Sequence, residues 1–326
     1  MTAGRPDDLD AHSEEELHAV SASEDDALLG GERATYPSED VVSSRRAVTI
    51  PSADRLPGPH PTQFPELNTL LTELTQRTSA ILGDSFVGAY LQGSFAVGDA
   101  DIHSDCDFLI PVRSPLTPQQ EAGLRALHDE IPTRPGHWTH HLEGSYPVEA
   151  ELRTLDALGR EWLYIDHGWR DMQWSTHCNN EVTRWSLREC GVTLAGPPPA
   201  SLVDEVSAEV LRARMRRYAD EFLSDLFTWI SFDIAWAQRY AVSTFCRILH
   251  TLDTGQVTSK KAAMLWAGDA LDPRWAGLIQ QVLDDRPLGF DADAPPRPGS
   301  AEVTLAFAAY AQSRAAGMPS TRDSTD

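Results

Sequence analysis

Leu91-Gln-Gly93-Ser94-Phe-Ala-Val-Gly-Asp99-Ala-Asp101-Ile-His103-Ser-Asp105-Cys106-Asp107-Phe108 is the stretch that decides the fold. It reads as the end of a strand, a Gly-Ser turn that opens a helix, and an Asp-x-Asp on the next strand. An apolar residue follows each Asp of that pair. Strand alternation puts Asp105 and Asp107 on one face and Cys106 and Phe108 on the other. Two carboxylates on one face repel each other and lose hydration, which is costly unless a cation sits between them. Mg2+ suits such a pair, because it takes few carboxylates and fills its shell with water and phosphate oxygens. The Gly93-Ser94 turn offers backbone N–H donors and a hydroxyl to the same oxygens.

Outward from this stretch, Leu67, Leu70, Leu71, Leu74 and Ile81 mark one face of a helix over 64–82. Strands are expected at 86–91, 106–112 and 139–145, with a helix at 117–130 between the last two. This βαβ-like alternation predicts an α/β domain. Gly196-Pro197-Pro198-Pro199 breaks the chain. Helical periods then dominate, at 203–227, 236–253, 259–271, 273–285 and 299–315. The expected organisation is a disordered acidic tail at 1–62, an α/β domain at 63–197, a helical domain at 198–318 and a disordered tail at 319–326.

Composition narrows the classes. The chain has 326 residues, 41% of them hydrophobic, enough for a sizeable core. No 18-residue apolar run suggests a membrane span, and the acidic N-terminus is unlike a secretory signal, so a cytoplasmic protein is expected. Cys106, Cys178, Cys190 and Cys246 show no CxxC spacing, which disfavours a disulfide framework or a zinc knuckle. The net charge of −22 disfavours nucleic-acid binding. Residues 1–40 hold twelve acids against Arg5 and Arg33, so much of that charge belongs to the tail. The only lysines are the neighbours Lys260 and Lys261. A chain that otherwise uses arginine places two compact ammonium groups together.

The Gly-Ser and Asp-x-Asp stretch resembles the signature of the nucleotidyltransferase superfamily, whose fold is similar to DNA polymerase β. The resemblance implies that Gly93 and Ser94 hold the nucleotide's phosphates and that Asp105 and Asp107 bind catalytic metal. It also implies a third carboxylate on a later strand. Glu143 is the candidate, both as metal ligand and as the base that takes the acceptor's proton, with Glu149 and Glu151 as runners-up. The segment Val242-Ser-Thr244-Phe-Cys-Arg247 through Thr254-Gly255 to Lys260-Lys-Ala262-Ala263-Met-Leu-Trp266 resembles the helical domain of aminoglycoside adenylyltransferases of the streptomycin/spectinomycin type. Leu194-Ala-Gly196-Pro197 resembles the Gly-Pro that closes their first domain.

That resemblance implies two Mg2+ ions, ATP as co-substrate, and AMP transfer to a hydroxyl of a small, cationic acceptor by a monomer without nucleic-acid or membrane partners. It places the nucleotide-contacting lysine on Lys260, with Lys261 as the alternative. Ser259 is positioned to cap the following helix, and a lysine in a first turn is unfavourable unless an anion sits there. One stretch departs from the family. Antibiotic-modifying members carry acids just before the Thr-x-x-Arg helix, where this chain has Trp236-Ala-Gln238-Arg239-Tyr240, and its nearest acid is Asp233. The alternatives are a protein, RNA or metabolite acceptor, or an antitoxin-like binding module that keeps the fold without the reaction.

Other residues carry plainer expectations. His137, His140 and His141 lack a zinc-like partner and are expected to pack or orient Glu143. Trp162, Trp169, Trp174 and Trp185 are expected to pack rather than form a stacking wall. Asn179-Asn180 is expected to cap a helix, Cys106 to lie in the core, and Asp99 and Asp101 to lie in a solvated loop.

Overall fold

Phe64 precedes a proline whose fixed φ suits a first helical turn, and helix α1 (Pro65–Leu82) follows, burying Leu67, Leu70, Leu71 and Leu74. The computed structural model describes residues 60–318, so the expected acidic tail lies outside it except for residues 60–62. Thr62 is tied to α1, its Oγ1 donating to Asn68 Oδ1 at 2.8 Å and its carbonyl accepting from Asn68 Nδ2 at 2.9 Å. The expected tail at 319–326 also lies outside the described residues.

The chain then alternates strands and helices: β1 (Ala89–Leu91), α2 (Gly93–Ala96), β2 (Cys106–Leu109), α3 (Pro118–Glu130), β3 (Leu142–Tyr146), α4 (Glu149–Arg153), β4 (Trp162–Ile165), β5 (Gln173–Ser175), α5 (Glu181–Cys190) and β6 (Val192–Ala195). The strands form one six-stranded sheet in the order β5-β4-β3-β2-β1-β6. Only β2 and β3 run parallel, and α3 is their crossover. A reciprocal capping box between Thr117 and Gln120 starts that crossover helix. The expected strands are shorter than read. Phe86 and Val112 form only isolated bridges, to each other and from Val112 to Val148, and Thr139 lies in a 3-10 turn.

Both faces of the sheet are covered. Cys106 and Phe108 join Leu67, Leu71, Leu124 and Leu127 under α1 and α3. Leu109 joins Tyr90, Trp162 and Leu187 on the other face, under α5. Asp105 and Asp107 therefore point to the second face, as alternation requires. There Arg184 is fully buried, donating to the carbonyls of Glu151, Leu152, Thr154 and Asn180 at 2.9–3.1 Å. It ties α4 to α5 and lies over the Trp162 ring.

The remaining elements are helices: α6 (Ala208–Leu226), α7 (Ala235–Thr254), α8 (Lys260–Ala270), α9 (Ala276–Asp284) and α10 (Ser300–Gly317). The bundle forms around α7, whose Ala241, Phe245, Leu249 and Leu252 are buried against its neighbours. Gly255 ends α7 in the left-handed conformation, φ 73°. A Cβ there would also lie 2.7 Å from Ala208 Cβ, so the turn into α8 accepts only glycine. Ser259 then caps α8, accepting from Ala262 N at 3.0 Å. The four cysteines are free. No helix among the described residues is long and apolar enough to cross a membrane.

Candidate active site

Asp105 and Glu143 bring carboxylate oxygens within 4.8 Å of each other where β2 and β3 run side by side, and Asp107 stands next to them on β2. Asp107 lies opposite Glu143 in the parallel register. Asp105 is 1% exposed and Glu143 is 2% exposed. Burial first, and then the charge of Glu143, push the Asp107 pKa up to about 8. Asp166, just beyond β4, is raised to about 7 for the same two reasons. A site that holds acids this way is strained by its own charge, and a divalent cation is the simplest relief. The donor set therefore fits the metal that the sequence implied. Gly93 makes the closeness possible. Its φ is 58°, and a Cβ built on it would fall 2.0 Å from Asp107 Oδ2.

Glu143 is held from one side. Tyr164 OH donates to its Oε1 at 2.9 Å, and His177 Nε2 lies 3.2 Å from the same oxygen. The Tyr164 and His177 rings are stacked, with centroids 5.0 Å apart. Oε2 has no hydrogen-bond partner. The runners-up Glu149 and Glu151 lie in the first turn of α4, off the paired strands. Glu151 accepts from Trp162 Nε1 at 3.1 Å and pairs with Arg160 at 2.7 Å, anchoring α4.

Two adjoining cavities open between the sheet and the helices. The larger, about 350 Å³, is lined by Asp107, Glu143, His177, Tyr218 and Tyr240. The smaller, about 100 Å³, is lined by Ser94, Ser104, Lys260 and Arg286. Gly93 and Arg247 line both. One end of the cleft thus carries the acids, and the other carries cations beside the Gly-Ser turn.

The two lysines part ways. Lys260 is half-buried, its Nζ 4.8 Å from the centre of the Tyr240 ring. Burial first, and then Arg286, hold its pKa well below the ordinary ammonium value. An anion in the small cavity would favour its charged form. Lys261 is exposed and pairs with Asp99 at 3.7 Å. Asp99 also accepts from Ser259 Oγ, and Asp101 pairs with Arg286. The loop expected to be merely solvated is a latch between sheet and helices.

Other expectations meet mixed ends. Cys106 is buried in the core, and Asn180 caps α5, accepting from Thr183 N at 2.8 Å. Trp162 and Trp185 are buried in packing clusters, whereas Trp174 is 44% exposed. His141 stacks on His137 at 4.0 Å. Gln238, at the stretch that departs from the family, is buried and donates to the Phe232 carbonyl at 2.7 Å. Sequence reasoning missed Tyr164, His167, His177 and Arg247 as site residues. Only Arg247 carried a signal, as the arginine of the Thr244-x-x-Arg247 helix.

Residues 201–302 match the aminoglycoside adenylyltransferase C-terminal domain. The chain is aminoglycoside adenylyltransferase-like. It is 24% identical over 235 residues to spectinomycin 9-adenylyltransferase of Staphylococcus aureus, a match spanning 62% of this chain and 85% of that relative. It is also similar to the crystal structure of a spectinomycin adenyltransferase from Enterococcus faecialis solved with ATP and spectinomycin. There the TM-score is 0.56 at 15% identity, covering 77% of this chain and 99% of that one. At that identity the structural likeness speaks for the fold. Within this adenylyltransferase-like chain, Arg247 and Lys260 lie in the matched segment and the three carboxylates precede it.

Proposed function

We propose that this protein is a Mg2+-dependent adenylyltransferase with a polymerase β-like nucleotidyltransferase domain. It moves AMP from ATP to a hydroxyl of a small aminoglycoside- or aminocyclitol-type molecule. The observation that carries the reading is the cleft's polarity. Asp107 and Glu143 face one end, and Ser94, Lys260 and Arg286 face the other, with Arg247 between them.

Asp105, Asp107 and Glu143 would hold one or two Mg2+ ions, which supply charge neutralisation at the α-phosphoryl group and the leaving pyrophosphate. Gly93 and Ser94 bind the β- and γ-phosphates with a backbone N–H and a hydroxyl. Lys260 and Arg247 reach the same phosphates from the helices. The acceptor lies in the larger cavity, whose size suits a small ligand. Its hydroxyl oxygen attacks the α-phosphorus in line, and the bond to the pyrophosphate oxygen breaks. Glu143 takes the hydroxyl proton at Oε2, the oxygen that Tyr164 and His177 leave unengaged.

The test is incubation with ATP, Mg2+ and spectinomycin, streptomycin and related aminocyclitols, read by product mass and pyrophosphate release. The acceptor end carries Arg214, Tyr218 and Tyr240, so neutral and anionic hydroxyl compounds belong in the panel. An acceptor heavier by one AMP moiety supports the reading. ATP that stays intact with every acceptor, in a protein that binds ATP, counts against it.

A further inference from the structure

His167 has no part in the reaction just described, yet it sits among the groups that perform it. It is 7% exposed and opens the turn that follows β4. Its Nδ1 is buried and makes no hydrogen bond. That atom lies 3.9 Å from Asp105 Oδ1 and 3.7 Å from Asp166 Oδ1. A buried, unpartnered ring nitrogen has lost its solvation with nothing in return, so it calls for a compensating interaction.

The geometry supplies one. One donor atom each from Asp105, Glu143 and His167 lie within 4.8 Å of one another, the one such trio found among the described residues. Donors bound to one ion at about 2.1 Å stand roughly 3–4.2 Å apart, so a small contraction closes the site. The ring is also braced. His141 stacks on it with centroids 5.9 Å apart, and His137 stacks in turn on His141. His141 Nδ1 lies 2.7 Å from the His137 carbonyl. The backbone N–H of His167 donates to Asp166 Oδ1 at 2.9 Å, which fixes the turn. Such outer contacts are what orient a metal-binding imidazole.

We propose that His167 is a nitrogen ligand which, with Asp105 and Glu143, forms a mixed N/O site for a divalent transition ion such as Mn2+. Asp107, on the cleft side, is left to the all-oxygen coordination that Mg2+ prefers. The inference rests on the reading of these acids as metal-binding. Imidazole favours Mn2+ and later transition ions over Mg2+, whose hard shell prefers carboxylate and water. The two positions of the cluster would then differ in metal preference.

The full-length protein with Mn2+ alone tests this without any turnover. Pulsed EPR of bound Mn2+ should show the hyperfine coupling of a directly bound nitrogen. His167→Gln should lose that coupling and weaken Mn2+ binding about tenfold or more by calorimetry. Its Mg2+ affinity should change less than about threefold, because the oxygen ligands remain. His177→Gln, which alters the other histidine near Glu143, should keep the nitrogen coupling. Circular dichroism confirms that each variant is folded. Wild-type Mn2+ without nitrogen coupling overturns the proposal, as does coupling lost in His177→Gln and kept in His167→Gln. If His167→Gln fails to fold, the wild-type spectrum and that of His177→Gln still decide. AMP transfer without nitrogen coupling would sink this inference and leave the function standing. Nitrogen coupling without AMP transfer would do the reverse.

Discussion

The two walls of the cleft are built by opposite devices. On the sheet wall, parallel register sets Asp107 opposite Glu143, and burial, then the charge of Glu143, lift Asp107 to about 8. On the helical wall, Lys260 stands at the start of α8, where the helix dipole opposes a cation, and burial holds its pKa down. Each wall carries charge that its own surroundings disfavour. The remedy for the acids is a cation, and the remedy for the lysine is an anion. A nucleotide triphosphate with its metal brings both, so a site strained when empty is relaxed when filled.

Breaking the sheet wall should have the largest effect. Asp105→Asn or Asp107→Asn is expected to lower kcat by about 10³-fold or more, the scale of losing a transition-state charge stabiliser. Pyrophosphate release measures it, and a variant near wild-type rate at saturating Mg2+ contradicts the assignment. Glu143→Gln keeps the shape and should cost about 10²–10⁴ in kcat, as for a lost general base. A rate unchanged in that variant would move the base elsewhere.

The helical wall should respond differently. Lys260→Ala is expected to raise the KM for ATP about tenfold while kcat falls far less, since a partly desolvated phosphate contact is worth about 1–2 kcal/mol. Lys260→Arg should rescue only part of this, because a planar fork replaces a compact ammonium poorly. Lys261→Ala should alter the KM for ATP less than about twofold. Its partner is Asp99 at the surface, and exposed pairs contribute about 0–1 kcal/mol. Equal effects from the two lysines would erase the distinction between them.

The sheet wall's strain also has a pH signature. An acid whose folded pKa is raised binds more protons folded than unfolded between the two values. Its contribution therefore destabilises the fold progressively as pH rises from about 4 to about 8. In chelator, the Tm advantage of Asp107→Asn over wild type should grow across that window. Saturating divalent metal should shrink it. An advantage that is flat with pH would show that Asp107 is not held raised.

Legibility in the sequence followed the same divide. Asp105 and Asp107 were readable because period-two alternation is local, and Cys106 and Phe108 fell into the core as that alternation demands. Asn180 as a cap and Ser259 before α8 were readable for the same local reason. β4, β5 and β6 were not. Trp162–Ile165 is buried throughout and shows no alternation, and β5 is a three-residue edge strand. With β4 went Tyr164 and His167, whose roles depend on antiparallel pairing beside β3. The Asp99 and Asp101 latch was hidden because Ser259 and Arg286 are more than 150 residues away in the chain. Arg247 stood in a quoted motif and needed only the cleft to show that it faces both cavities.

The division of labour between the walls is tested most directly by calorimetric titration of a non-hydrolysable ATP analogue, in chelator, into wild type, Asp107→Asn and Lys260→Ala. With no metal present, the acids repel the phosphates, and Lys260 attracts them together with Arg247 and Arg286. Asp107→Asn should bind the analogue at least as tightly as wild type, and Lys260→Ala about tenfold more weakly. Weakened binding in Asp107→Asn together with unchanged binding in Lys260→Ala would contradict the account.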